Sequence, residues 1–268
     1  MQTTSDGFQL YTKNYLLANP NANLLLVHGM GEHCERYTHV AAALNTLGIS
    51  VYSFDLRGHG KSTGDRVFIK DIAEYREDVE TIYKTVPKDL PLFILGHSMG
   101  GLITLNFLLH QVRTEIKGVV LSGAALAVGD DITPVTQFVL KLVGNFLPQL
   151  KTLKLDPKSI SRDEKIVEEY QTDPLIYHEG AKAGTGLALL KAIKEITPKF
   201  KDFNYPALFM HGEADKIVNP QGTKDLFAEC KSTDKTLKIW DNAYHEIFNE
   251  INKNEVIDLM VKWIADRI

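Results

Sequence analysis

Cysteine is scarce: Cys34 and Cys230 are the only two in 268 residues, and they stand in neither metal-site nor redox spacing. That argues against a disulfide framework and for a reducing compartment, so a cytoplasmic location is expected. No run approaches the ~18 uncharged apolar residues of a membrane span. The opening stretch, Met1-Gln2-Thr3-Thr4-Ser5-Asp6, has neither the basic nor the apolar region of a signal peptide. Charge of one sign is missing too, since 30 basic and 34 acidic residues are scattered to a formal net charge of -4. No basic patch suits nucleic acid, and no polybasic block suits an anionic membrane surface. No grouping of His, Glu and Asp has metal-ligand spacing, and Gly58-His59-Gly60 lacks the third glycine of a dinucleotide-binding turn. Neither a metal nor a cofactor is therefore expected, and the ligand that these absences leave is small or neutral.

What the chain does have is alternation. Short β-like runs at Leu24–His28, Ile49–Asp55, Leu92–Gly96, Gly118–Ser122, Ala207–His211 and Thr236–Trp240 are separated by segments with helical spacing. This predicts an α/β fold with a mostly parallel central sheet flanked by helices. Phe8–Leu17, with no helix before Leu24, is expected to add antiparallel edge strands. Helices are expected over Asp71–Val86, with Pro87 just past its end, and over Glu255–Ile268, which closes the domain. Between about Ala125 and Gly186 the alternation stops, far longer than an ordinary connection. Residues 1–124 and 187–268 are accordingly read as the core, and 125–186 as an inserted helical cap or lid. Within the insertion, Ile132–Leu150 carries a broad apolar stripe that Gly144 and Pro148 interrupt.

Residues 96–100 read Gly-His-Ser-Met-Gly, directly after an apolar run and before the helical segment Leu102–Leu109. A serine held between small residues at a strand-to-helix turn is the setting of a nucleophile elbow. The same turn would also suit a serine that merely caps the helix. To attack a carbonyl, Ser98 needs a base, an acid to orient that base, and donors for the oxyanion. In the chain order serine, acid, histidine, only one of the nine histidines lies beyond the run Ala207–His211: His245. Asp215 follows that run and suits the acid, with Glu213, Asp234 and Asp241 as competitors. The amide of Met99 would be one oxyanion donor, and the glycine turn His28-Gly29-Met30-Gly31 would supply the second through Met30.

His-Gly-Met-Gly-Glu-His at 28–33, Asp-Leu-Arg-Gly-His-Gly-Lys-Ser at 55–62, Gly-His-Ser-Met-Gly-Gly at 96–101 and His-Gly-Glu-Ala-Asp-Lys-Ile-Val at 211–218 together closely resemble the monoacylglycerol lipases, among the lysophospholipase-like serine α/β-hydrolases. The resemblance implies an α/β-hydrolase fold, with Ser98, Asp215 and His245 as the triad and Met30 and Met99 as backbone donors. It also implies that Glu32 and Arg36 meet the glycerol end of the substrate; a local ion pair holding the loop is the competing reading of these two. His28, Asp55, His59 and His211 belong to the same motifs and are read as structural. The insertion matches the family's lid in position. Phe138 and Phe146 on its stripe are expected to line an acyl channel, the outer part of the lid to rest transiently on a lipid surface, or the stripe simply to pack on the core. The expected reaction is hydrolysis of a small lipid ester, with a lysophospholipase, a general carboxylesterase or a non-catalytic binding protein as alternatives.

Overall fold

The computed structural model describes residues 1–127, 141–152 and 154–268. Six strands form one parallel sheet: β3 (Ala22–Val27), β4 (Ile49–Ser53), β5 (Leu92–His97), β6 (Ile116–Ser122), β7 (Ala207–Gly212) and β8 (Lys235–Trp240), in the order β4-β3-β5-β6-β7-β8. Each lies within two residues of the run that predicts it. Every residue of β3, β5 and β7 is buried, which is why these strands read as near-continuous apolar runs rather than as an alternating pattern. Alternation persists in space: Leu25 and Val27 enter the hydrophobic core on one face of the sheet, Leu24 and Leu26 the core on the other.

The chain leaves β3 to one side for β4, then crosses back to build β5 on the other side. A crevice opens at the carboxyl ends of β3 and β5, where this reversal occurs, and open α/β sheets place ligands there. The helix Met99–His110 starts immediately after β5, three residues earlier than expected, because the Ser98 carbonyl already accepts the amides of Gly101 and Leu102. The helix Ile72–Tyr83 begins with a capping box made by Asp71 and Glu74, and Lys253–Ala265 is the last helix. Among the described residues no helix is long and apolar enough to cross a membrane.

Two expectations change. The N-terminal segment runs antiparallel to the outer edge of β4, but only through isolated bridges at Thr12–Phe54 and Tyr15–Val51, beside a two-stranded sheet of β1 (Gln2–Thr3) and β2 (Gln9–Leu10). Its other amides go to side chains: Tyr11 donates to Ser62 Oγ and Leu17 to Ser50 Oγ, so no continuous ladder forms. The apolar stripe read to Leu150 is helical over 141–146 and stops before Pro148, one of the two residues read as interrupting it, and 132–140 lies outside the described residues. The core boundary does change. Gly144 packs against the helix Ala183–Ile196, which runs through the expected core boundary at 186.

Candidate active site

The turn after β5 places Ser98 at φ 53°, ψ -121°, a conformation that costs a residue with a Cβ and recurs where function demands a sharp turn. The surroundings fix it: the Ser98 amide donates to the Ser122 carbonyl at 2.9 Å, and its carbonyl accepts the Ala125 amide at 3.0 Å. The flanking glycines are steric necessities. A Cβ on Gly100 would overlap the carbonyl oxygens of Val27 and His28, and one on Gly96 would sit 2.6 Å from Thr104 Oγ1.

His245 arrives on the loop after β8, with Nε2 2.8 Å from Ser98 Oγ and Nδ1 2.6 Å from Asp215 Oδ2. A carboxylate only accepts, so Nδ1 carries the proton and Nε2 accepts from the serine hydroxyl. Asp215, on the loop after β7, is tied from the other side as well. Its Oδ1 accepts the amides of Ile217 at 2.8 Å and Val218 at 3.0 Å, and its Oδ2 lies 3.0 Å from His211 Nε2. Burial pushes the Asp215 carboxyl up, but the charge of His245 and hydrogen bonds from His211 and His245 outweigh it and hold the acid far below its usual range. For His245 burial favours the neutral ring, while the Asp215 carboxylate favours the cation and wins, so its pKa stands above 6.5.

Of the competing acids, Asp234 pairs with Arg267 at 3.0 Å and Glu213 accepts the Asn242 amide at 3.3 Å, so among the described contacts Asp215 is the acid on His245. Met30 and Met99 border the same cavity as Ser98 and His245, and among the described residues neither amide donates to another group. Glu32 borders it too. Arg36 joins Glu32 at 2.9 Å and grips Glu246 with both Nη atoms, at 2.7 and 2.6 Å, so the ion pair exists and has a third member.

His28 and Asp55 behave as structural groups: His28 Nε2 accepts the Leu56 amide and Asp55 accepts the amides of Cys34 and Lys61. His59 likewise bonds the Arg57 carbonyl, whereas His211 reaches Asp215 itself.

The cavity measures about 470 Å³, and its wall is largely apolar, with Lys154, Asp156 and Lys216 also bordering it. The apolar wall differs from expectation. Phe146 is 79% exposed and does not border the cavity, because it faces outward from the helical stretch 141–146, whose inner side is taken up by Gly144 and Val143 against the helix Ala183–Ile196. Phe138 lies outside the described residues. The wall is instead made by Leu189, Leu190 and Ile193 of that helix, with Ile217 and Val218 from the loop of Asp215. Gly186, Leu189, Leu190 and Ile193 stand at i, i+3, i+4 and i+7, a spacing that marks a face but not what it faces.

The family described as serine aminopeptidase, S33, matches residues 18–252. A monoacylglycerol lipase of Mycolicibacterium smegmatis is 34% identical over 253 residues, covering 93% of this chain and 90% of that protein. The chain belongs to the monoacylglycerol lipase family. A crystal structure of the monoacylglycerol lipase of Paleococcus ferrophilus superposes with a TM-score of 0.88 at 32% identity, over 97% of this chain and 100% of that one. A soluble variant of the Saccharomyces cerevisiae monoglyceride lipase, in complex with a substrate analog, gives 0.90 at 26% identity over 100% of this chain and 94% of that one. Membership in the monoacylglycerol lipase family agrees with the α/β-hydrolase architecture built above, and the elbow, the acid loop and the histidine loop all fall within the matched residues.

Proposed function

We propose that the protein is a serine hydrolase that splits monoacylglycerols into glycerol and free fatty acid through an acyl-enzyme. The observation that carries this reading is the chain Asp215–His245–Ser98, hydrogen-bonded throughout and opening into a largely apolar cavity. His245 takes the proton of Ser98 as Oγ attacks the ester carbonyl, and Asp215 holds the imidazole in the tautomer that can accept it. The amides of Met30 and Met99 donate to the tetrahedral oxyanion, whose charge the start of the helix Met99–His110 also favours. His245 then protonates the departing glycerol, and water activated by the same ring releases the fatty acid. The acyl chain lies along Leu189, Leu190 and Ile193.

An aminopeptidase would need an acid free to hold the substrate's ammonium group. Of the acids on the cavity wall, Glu32 and Glu246 are both bound to Arg36, which leaves Asp156 as the one an aminopeptidase would have to use. Residues 125–186 act as the cap, and the exposed Phe146 and Leu147 bring it transiently to a lipid surface from the cytoplasmic side. The test is a hydrolysis panel of mono-, di- and triacylglycerols, lysophospholipids and aminoacyl amides, with Ser98→Ala as control. Monoacylglycerols should lead, and Ser98→Ala should lower turnover on the order of a million-fold while keeping the fold. Wild-type turnover by purified Ser98→Ala would sink the assignment.

A further inference from the structure

The residue after His245 is Glu246, a buried carboxylate turned toward the loop that follows β3. Arg36 binds it with both Nη atoms and also donates to Glu32, and Glu32 accepts the Gly29 amide at 2.6 Å and the Tyr37 hydroxyl at 2.8 Å. One guanidinium thus joins the loop carrying Met30 to the loop carrying His245. Asn249 Nδ2 donates to Glu246 at 2.9 Å, and the Glu246 amide donates to the Ile160 carbonyl at 2.8 Å, so the carboxylate is fixed on more than one side.

We infer that Glu246 is a positioning residue for hydrolysis: through Arg36 it holds the base loop and the oxyanion loop in register, and it keeps a negative charge beside the imidazole while His245 carries a proton. The inference rests on the proposed roles of Ser98 and His245. Charge arithmetic supports it. One guanidinium needs one carboxylate to be neutralised, yet Arg36 holds two, and burying the surplus charge is costly unless something uses it. Part of that surplus is carried by the residue that follows His245, the group that becomes a cation during turnover, and its charge acts on the ring.

The groups facing His245 are Asp215, the His97 ring with its centroid 4.9 Å away, and the Glu246, Glu32 and Arg36 cluster. Burial, with His245 adding to it, pulls the His97 pKa down to about 3, so that ring stays neutral. Burial opposes the charge on Glu246, but Arg36 overcomes it and brings the carboxyl to about 2, so Glu246 stays ionised through the working range. Both Glu246 and Glu32 push the His245 pKa upward, after burial and Asp215. Neutral His245 is the active form, so activity is lost as pH falls through its pKa. Removing the charge of Glu246 should therefore move the acid limb to lower pH.

The experiment compares Glu246→Gln and Glu246→Asp with wild type on a short soluble ester, recording kcat and KM from roughly pH 5 to 9, with thermal melting alongside. Glu246→Gln keeps the shape and leaves Arg36 balanced by Glu32. It should lower kcat about ten-fold with little change in KM, and shift the acid limb of kcat/KM down by about half a unit. Glu246→Asp keeps the charge and shortens the reach, so the limb should stay and kcat should fall several-fold. An unmoved limb in folded Glu246→Gln, a loss confined to KM, or wild-type kcat in Glu246→Asp would overturn the inference. Should Glu246→Gln fail to fold, Glu246→Asp decides alone. An active Ser98→Ala would instead overturn the underlying reaction, so the two failures are distinguishable.

Discussion

Residues 154–178 and 141–150 both lie between β6 and β7, yet they are held in opposite ways. The first stretch is pinned by polar contacts to both loops of the candidate site. The Tyr177 amide donates to Gly31 at 2.8 Å and His33 Nε2 lies 2.8 Å from Asp173, beside the turn of Met30. Arg162 Nε donates to Glu250 at 2.9 Å, and the same carboxylate, fully buried, accepts the Tyr244 amide at 2.7 Å, one residue before His245. The second stretch leans on the helix Ala183–Ile196 through Val143 and Gly144 and turns Phe146 and Leu147 outward. The proposed cap is therefore held unevenly. One part fixes the geometry of the loops beneath it, and the other offers apolar surface that the fold itself does not bury.

The comparison can be tested from its strongest element downward. The reference is the sheet-borne machinery, where Asp215→Asn keeps the geometry but favours the wrong tautomer of His245. A loss of about 10⁴-fold in kcat is expected for every substrate, and a loss of only a few fold would move the acid's role elsewhere. Arg162→Ala strikes the pinned stretch and leaves Glu250 without its guanidinium. It should cost about 2 kcal/mol of stability in a denaturant titration and slow all esters alike, whatever their chain length. Selective loss on long-chain lipids alone would place this stretch with the outward one. Phe146→Ser strikes the outward stretch and should leave short soluble esters unchanged. Binding to lipid vesicles should weaken about five-fold, the value of roughly 1 kcal/mol of apolar burial, as read by co-sedimentation. Equal loss on soluble esters would show that Phe146 supports the fold instead.

The same divide separates what was legible in the sequence from what was not. Parallel strands buried on both faces are apolar almost from end to end, so β3, β5 and β7 were the plainest to locate, and the more mixed runs of β4, β6 and β8 completed the sheet. The Gly-His-Ser-Met-Gly turn and a lone histidine beyond Asp215 led to three side chains that the fold brings within hydrogen-bond reach. Chain order carries such information because each loop follows a strand end. The stripe around Phe146 carried less, since helical spacing reports a face without saying whether protein, substrate or solvent covers it. Leu189, Leu190 and Ile193 had the same kind of signal and turned out to be the wall. Glu246 was invisible for another reason: its partner Arg36 is 210 residues away, and an acid beside a histidine in a loop reads as an ordinary surface charge.

The loop after β7 has a consequence for redesign. The amides of Ile217 and Val218 anchor Asp215, while the same two residues form part of the cavity wall. Cavity width and acid placement are therefore set by a single stretch of backbone. An engineer who reshapes chain-length preference at Ile217 or Val218 also retunes the base, and selectivity gained there trades against turnover. Leu189 and Ile193 stand on a helix that has no such tie to Asp215 among the described contacts, so the same change in volume made at those positions should leave the chemistry in tune.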